Sequence, residues 1–176
     1  AVPLKKNLFQ ISLSKVERNI AGLDWVKQVS VRRQVPSTLW IHVREHRPQA
    51  LLLDERLHFV SEEGVVFKAV TKELNRDFPV ITGLKKSDSL DEALKIIHFL
   101  RDFSDFELFG LSEIHYNEIT GFSIVTLMGP MEIRLGRENI ASKIIRLKKI
   151  WDGLENRFSR VRGIDLDYDD RAFVKL

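Results

Sequence analysis

Two runs of alternating apolar and polar residues, Val29–Arg32 and Leu39–Arg44, constrain the fold of this chain more than any other feature. Because side chains in a strand point alternately to opposite faces, this two-residue period predicts two strands, each with one buried face. Pro36 lies in the short segment between the runs, where its fixed φ angle favours a turn. Pro48 ends the second run, since proline has no N–H to donate to a neighbouring strand. The sequence therefore predicts two consecutive strands joined by a tight turn.

The identity and spacing of residues across these strands carry a family signature. The matching residues, in order, are Trp25-Val26, Val31-Arg32-Arg33, Pro36, Thr38-Leu39, Ile41, Val43, Glu45, Pro48 and Ala50. This pattern resembles the end of a POTRA (polypeptide-transport-associated) domain, and more narrowly that of the FtsQ/DivIB cell-division family. The family usually has Arg after the glutamate, where this chain has His46. A complete POTRA domain has the order β-α-α-β-β, so the resemblance implies that the first strand and first helix are missing here.

The composition is that of a globular protein, with 44% hydrophobic and 30% charged residues in a chain of 176. A formal charge of +3 permits an acidic partner or a lipid surface but does not demand nucleic acid. The absence of cysteine excludes disulfides and thiolate metal sites. No apolar run reaches the ~18–20 residues that span a bilayer. The chain also begins at Ala1 without a leader, so we expect any membrane anchor upstream.

Local patterns predict the elements of the first half of the chain. A helix is expected over roughly Ser12–Ala21, with Ser14 and Glu17 as a capping box and Gly22 as its stop. Short apolar runs between residues 51 and 81 predict a meander of short strands. The helix over Ser12–Ala21 and the two strands described above together give an α-β-β unit over residues 1–48.

Two helices and five strands are predicted after residue 81. Ser89 and Glu92 indicate a capping box at the start of one helix. Strands are expected at 113–118, 122–127, 131–135, about 161–168 and 172–176, with a turn at 128–130. The second helix is predicted from an apolar stripe at 4-3-4-3-4 spacing, formed by Ile140, Ile144, Leu147, Trp151, Leu154 and Phe158. The predicted fold is therefore α+β: a truncated POTRA domain (residues 1–48), then a mixed, mainly antiparallel sheet domain backed by two helices (residues 49–176).

One segment matches a zinc-peptidase pattern, H-x-x-E-H, at His42 to His46. That chemistry requires a helix, so that the two histidines share one face and converge on a metal. The strand pattern instead separates them by about 13 Å, at ~3.3 Å per residue. We interpret the segment as the polar face of a strand and expect no metal and no cofactor.

Two charged clusters lie near the C-terminus. Asp165, Asp167 and Asp169 begin like a calcium loop, but Asp170 stands where such a loop needs glycine, which favours a solvated face. The basic residues around the last helix fall mostly off its apolar stripe, so we interpret them as a solvated outer face, with nucleic acid or anionic lipid as the alternative. They are Arg137, Lys143, Arg146, Lys148, Lys149, Arg157, Arg160 and Arg162. No catalytic motif is found, and we expect no enzyme activity.

The segment Ile164–Tyr168 resembles the terminal motif of the FtsQ/DivIB family, in which arginine usually stands where this chain has Asp167. The resemblance implies that the sheet edge beside this motif receives a segment of the small coiled-coil division protein FtsB (DivIC in Gram-positive bacteria). An edge strand offers unpaired N–H and C=O groups to a partner strand, and Tyr168 supplies an aromatic anchor. The predicted partner-binding residues are Asp165, Leu166, Tyr168, Ala172, Phe173 and Val174, and the predicted recruitment residues of the POTRA domain are Arg32, Arg33 and Glu45.

The family resemblance implies a non-enzymatic division scaffold in the cytoplasmic (inner) membrane, crossing it once, with this chain on the extracytoplasmic side. It would bind the FtsB/FtsL-type pair and link assembly of the division ring to septal wall synthesis. The alternative is a POTRA module of an outer-membrane protein export or assembly factor. A nucleic-acid-binding module, identified by steep salt dependence, and a hydrolase, identified by a pocket with perturbed titratable groups, are further competitors.

Overall fold

The computed structural model describes residues 7–71, 77–84, 87–101, 110–127, 131–154 and 160–176. The chain divides into two compact units, Ala1–Pro48 and Gln49–Leu176. In the described part of the chain, none of the helices is long and apolar enough to cross a membrane.

The first unit packs one helix against two antiparallel strands. Its elements are a 3-10 turn at Leu8–Gln10, helix α1 (Leu13–Ala21) and strands β1 (Val26–Gln34) and β2 (Thr38–Glu45). The register places Val31 opposite Ile41 and Val29 opposite Val43, so each strand has one apolar face. The prediction of a buried face is confirmed for β1, where Val31 is buried, and wrong for β2, where Ile41 and Val43 are each 38% exposed.

Helix α1 starts differently from the prediction. Its N-cap is Ser12, whose hydroxyl accepts a hydrogen bond from the amide of Lys15 at 3.4 Å, so Ser14 lies inside the helix. Glu17 does not close a capping box; its carboxylate instead accepts from the amide of Val31 in β1 at 2.9 Å. Gly22 ends the helix as predicted, with its N–H bonded to a carbonyl of the last turn.

In the parts of the second unit that the structure describes, nine strands form one sheet and two helices are present. In chain order they are β3 (Pro48–Leu53), β4 (Leu57–Ser61), β5 (Val66–Ala69), β6 (Val80–Thr82), α2 (Ser87–Arg101), β7 (Leu111–Asn117), β8 (Gly121–Thr126), β9 (Glu132–Gly136), α3 (Ile140–Leu154), β10 (Gly163–Asp165) and β11 (Phe173–Lys175). The order across the sheet is β11-β10-β9-β8-β7-β6-β3-β4-β5.

The sheet is mixed because two helices connect parallel strands. Helix α2 joins β6 to its parallel neighbour β7, and α3 joins β9 to its parallel neighbour β10. Strand β6 also runs parallel to β3, so the predicted meander between residues 51 and 81 is only partly correct. The remaining described pairs, β4/β5, β7/β8, β8/β9 and β10/β11, are antiparallel.

The core lies between the sheet and the two helices. Five isoleucines on neighbouring strands form one continuous row across the sheet, and each is at most 1% exposed: Ile81, Ile114, Ile124, Ile133 and Ile164. Burying each side chain contributes roughly 1.5–3 kcal/mol, so this row is a main source of the unit's stability. Residues from α2 and α3 belong to the same buried cluster.

Most predicted elements are present, with shifted ends. Helix α2 begins at Ser87, so Ser89 is not its cap. The stripe on α3 is buried at Ile140, Ile144, Leu147 and Trp151, whereas the Leu154 side chain, Phe158 and the predicted turn at 128–130 lie outside what the structure describes. The strand predicted at about 161–168 is limited to β10, because the chain leaves the sheet after Asp165.

Candidate partner-binding site

Strand β11 forms one edge of the nine-stranded sheet. It pairs antiparallel with β10, with Ile164 opposite Val174, and no other described strand pairs with it. All three of its residues are exposed. An exposed edge of this kind can bind another extended segment through main-chain hydrogen bonds.

The direction of the main-chain groups in β10 follows from its bond to β9. The amide of Leu166 donates to the carbonyl of Arg134 at 2.9 Å, so the groups of Leu166 and of Ile164 point towards β9. The groups of Gly163 and Asp165, one residue out of phase, therefore point towards β11.

The same alternation identifies the free groups of β11. Lys175 points inward, because it lies opposite Gly163 and because its carbonyl accepts at 2.8 Å from the amide of Arg162, which precedes β10 and lies outside its alternation. Main-chain groups of successive residues in a strand point in opposite directions. The N–H and C=O of Val174 therefore point away from β10, and they are the groups that an added strand would bind.

Two aromatic rings flank this edge. Tyr168 is 48% exposed and Phe173 is 50% exposed. Their ring centroids are 5.0 Å apart in a T-shaped arrangement. Exposed aromatic pairs bury large apolar area when a partner covers them, so this pair is a suitable anchor.

A polar cavity of about 340 Å³ lies beside Tyr168, and Glu132, Arg134 and Asp165 contribute to its lining. Arg134 and Glu132 form an ion pair at 3.1 Å. The hydrogen bond to Glu132, its charge and that of Asp165 raise the pKa of the Arg134 guanidinium. The cavity beside the aromatic pair therefore contains one cation, Arg134, which is paired with Glu132 and lies among further carboxylates from Asp165 and Asp167.

Helix α3 holds the segment between β10 and β11 through two cations. Lys143, only 3% exposed, donates from Nζ to the carbonyl of Leu135 at 2.8 Å and to Oδ1 of Asp167 at 3.1 Å. Arg146 donates to the carbonyls of Tyr168 at 2.8 Å and Arg171 at 3.0 Å, and also to that of Asp169.

Gly136 makes room for this arrangement. It adopts a φ of +73°, and a Cβ built on it would lie 1.8 Å from Oδ1 of Asp167. Only glycine satisfies both the backbone angle and the close approach. Gly136 therefore allows the Asp167 carboxylate to reach Lys143.

Known proteins match both units of the chain. The family model for the FtsQ/DivIB cell division protein C-terminal region matches residues 50–167, and that for the FtsQ-type POTRA domain matches residues 1–46. The chain belongs to the FtsQ/DivIB family. Similar proteins include the cell division protein FtsQ of Geotalea daltonii, 33% identical over 96% of this chain, and that of Alcanivorax borkumensis, 32% identical over 99%. The chain spans about two thirds of their lengths, 65% and 66% respectively.

The six residues that the FtsQ/DivIB resemblance nominated at the C-terminal edge occupy different environments. Tyr168, Phe173 and Val174 are exposed and close together at the edge. Leu166 is fully buried and Ala172 packs against the core, so both support the edge from inside. Asp165 is half-buried, and its carboxylate accepts a hydrogen bond from the amide of Asp167.

The predicted recruitment residues of the FtsQ-type POTRA unit also differ in their environments. Arg33 donates to the carbonyls of Leu8 at 3.2 Å and Ile11 at 2.5 Å, so its guanidinium holds the fold together. Arg32, opposite Trp40, is exposed on the other face of the strands, and Glu45 is exposed near the end of β2.

The zinc interpretation loses its structural basis, because His42 lies in strand β2 and not in a helix. Over the ranges that the structure describes, no group of three or more metal-binding side chains is found.

The sequence interpretation missed the roles of Lys143 and Arg146, which it assigned to a solvated outer face. That assignment is wrong for Lys143, which is buried. One signal was present: Lys143 lies three residues after Ile140 and four before Leu147, which is a position on the apolar stripe. The contacts to Asp167 and to the segment after it span more than 20 residues, and no local pattern predicts them.

Proposed function

We propose that this chain is the extracytoplasmic part of a division scaffold that binds an FtsB/FtsL-type (DivIC) complex by strand addition to β11. Through this binding it links assembly of the division ring to septal wall synthesis. The role is one of binding and carries no catalytic step. The observation that carries the proposal is the open β11 edge, with the main-chain groups of Val174 pointing outward beside the Tyr168–Phe173 ring pair.

The proposed function also includes a membrane anchor. We infer a single apolar helix of about 20 residues upstream of residue 1, which would anchor the protein in the cytoplasmic membrane. Reading the coding sequence upstream tests this point: a cleavable leader in place of such a helix would contradict it.

The first unit is proposed to contribute recruitment to the division site. All three nominated residues are exposed, but the guanidinium of Arg33 already donates to two carbonyls, so Arg32 and Glu45 are the better candidates for contact with a partner. We expect Arg32→Glu to reduce localisation at the septum in cells, while Arg33 variants act through stability.

The sharpest test of strand addition removes one outward N–H from β11. In Val174→Pro the proline deletes the outward donor but leaves the inward hydrogen bonds of Phe173 and Lys175, and proline is tolerated at such an edge position. Leaving the partner's carbonyl unpaired costs about 1–3 kcal/mol, so affinity for a purified FtsB- or DivIC-type partner should fall roughly 5- to 150-fold. Isothermal titration calorimetry measures this change.

Val174→Thr is the matched control, because it keeps the N–H and the branched shape. It should bind within about twofold of the unsubstituted chain, since surface changes of this size alter free energies by about 0.5 kcal/mol or less. Equal affinity of Val174→Pro and Val174→Thr would refute strand addition at β11. Tyr168→Ala tests the aromatic anchor separately, and undiminished binding would remove Tyr168 from the site.

A further inference from the structure

We propose that helix α3 holds β11 in the position in which it can bind a partner strand. Arg146 and Lys143 of α3 position the edge strand and do not form part of its contact surface. The inference rests on the proposed function for its binding readout. It concerns two residues that the strand-addition model does not use.

The edge formed by β10 and β11 is weak by itself. Strands β10 and β11 have three residues each, so few ladder hydrogen bonds join them. The segment between them, from Asp167 to Arg171, is exposed. A short ladder next to an exposed segment opens easily unless other contacts hold it.

The guanidinium of Arg146 supplies such contacts. Arg146 donates to three carbonyls within four residues of chain, those of Tyr168, Asp169 and Arg171. The planar fork of arginine presents several N–H groups in fixed directions, which an ammonium cannot reproduce. Arg146 therefore fixes the path of the chain from Tyr168 to the start of β11.

Lys143 holds Asp167, the residue before Tyr168. Lys143 is buried, and its ammonium is bound by the carbonyl of Leu135 and by Asp167. A buried charge is strongly destabilising without its partners, so Asp167 is held at this point. Lys143 and Arg146 lie three residues apart on α3 and hold consecutive parts of one segment.

These contacts order the edge before any partner arrives. Ordering a loop or strand during binding reduces affinity, and a preordered strand avoids that loss. The T-shaped contact between Tyr168 and Phe173 joins the held segment to the start of β11. Loss of Arg146 should therefore weaken binding although the contacting side chains are unchanged.

The test uses Arg146→Met and Arg146→Lys in the chain of residues 1–176, with Lys149→Met as the matched control. Lys149 is an exposed cation on the same helix, and no contact of it with the held segment is described. Two measurements are made on each variant: amide hydrogen exchange of the free protein, and affinity for a purified FtsB- or DivIC-type partner.

In Arg146→Met, exchange at the inward amides of Phe173 and Lys175 should accelerate on the order of tenfold or more, because charge-assisted hydrogen bonds to three carbonyls are lost. Exchange at Ile133 and Ile164 should stay unchanged, which separates loosening of the edge from general unfolding. Affinity should fall on the order of tenfold. Arg146→Lys should recover only part of both losses, and Lys149→Met should change neither.

Unchanged exchange at Phe173 and Lys175 in Arg146→Met would overturn the proposal, as would accelerated exchange without loss of affinity. Asp167→Asn is a second variant, which keeps the shape of the side chain next to Gly136 but removes its charge. Exchange at the amides of Phe173 and Lys175 should accelerate in this variant to a smaller extent than in Arg146→Met. If the unsubstituted chain binds no partner, the proposed function fails, whereas the exchange data still decide whether α3 orders the edge.

Discussion

The two units of this chain hold their elements together by different means. In the second unit, a row of isoleucines across five strands packs under two helices and forms part of one large buried cluster. Among the described residues of the first unit, the buried cluster consists of Ile11, Val16 and Val31, with partly buried residues around it. A core this small stabilises a unit weakly, so polar contacts must carry a larger share.

Those polar contacts join side chains to the main chain of distant residues. Glu17 binds the amide of Val31, and Arg33 binds the carbonyls of Leu8 and Ile11. Hydrogen bonds to charged groups contribute about 1.5–3 kcal/mol each, comparable with burial of one apolar side chain. The comparison teaches that stability in the second unit depends on packing volume, and in the first on a few charged groups.

The largest effect is expected where the packing is densest. Ile133→Ala removes three buried carbon atoms from the centre of the row, and we expect the free energy of unfolding of the second unit to fall by about 2–5 kcal/mol. Urea unfolding followed by circular dichroism measures the change, and hydrogen exchange assigns it to the second unit. Leu53→Ala, at a position 43% exposed, should change stability by about 0.5 kcal/mol or less. Equal losses in both variants would contradict the packing argument.

An intermediate effect is expected from the charged groups of the first unit. Arg33→Gln removes hydrogen bonds to two carbonyls that join the N-terminal turn to β1, and it should destabilise the first unit by about 1–3 kcal/mol. Amide exchange at Val31 reports the change. The neighbouring Arg32→Gln is a closely matched control, because it removes the same charge without a described contact, and it should leave that exchange rate unaltered. If both variants behave alike, the charged contacts do not stabilise this unit.

The smallest effect concerns the start of helix α1. Ser12→Ala removes the N-cap hydroxyl and should cost about 1 kcal/mol, whereas Ser14→Ala, inside the helix, should be neutral or slightly stabilising. Thermal unfolding of the two variants side by side distinguishes them. A larger loss in Ser14→Ala would favour the capping box predicted from the sequence.

The sequence predicted those parts of the molecule that depend on local patterns. Alternation identified β1 and β2, and 3-4 spacing identified the buried stripe from Ile140 to Trp151, because these periods reflect the geometry of the elements themselves. The capping box at Ser14 was wrong, because Ser12 caps the helix two residues earlier and Glu17 accepts from the amide of Val31 in β1.

Contacts between distant parts of the chain could not be predicted from local patterns. The parallel pairing of β6 with β3 and the ion pair of Lys143 with Asp167 each depend on how the sheet is ordered. At the candidate site, resemblance to a family pointed to the segment that leads into the edge strand β11. It could not separate the buried Leu166 from the exposed Tyr168, because alternation breaks down where the chain leaves the sheet after Asp165.

The position of β11 outside β10 has a consequence for biosynthesis. Translation that terminates before residue 173 yields a chain that contains every described helix and β1–β10 but lacks β11. In such a chain β10 becomes the edge, and the main-chain groups of Gly163 and Asp165 stand there in place of those of Val174. Under the proposed strand addition to β11, we expect such a truncated chain to bind the partner less tightly, because it presents a different edge strand.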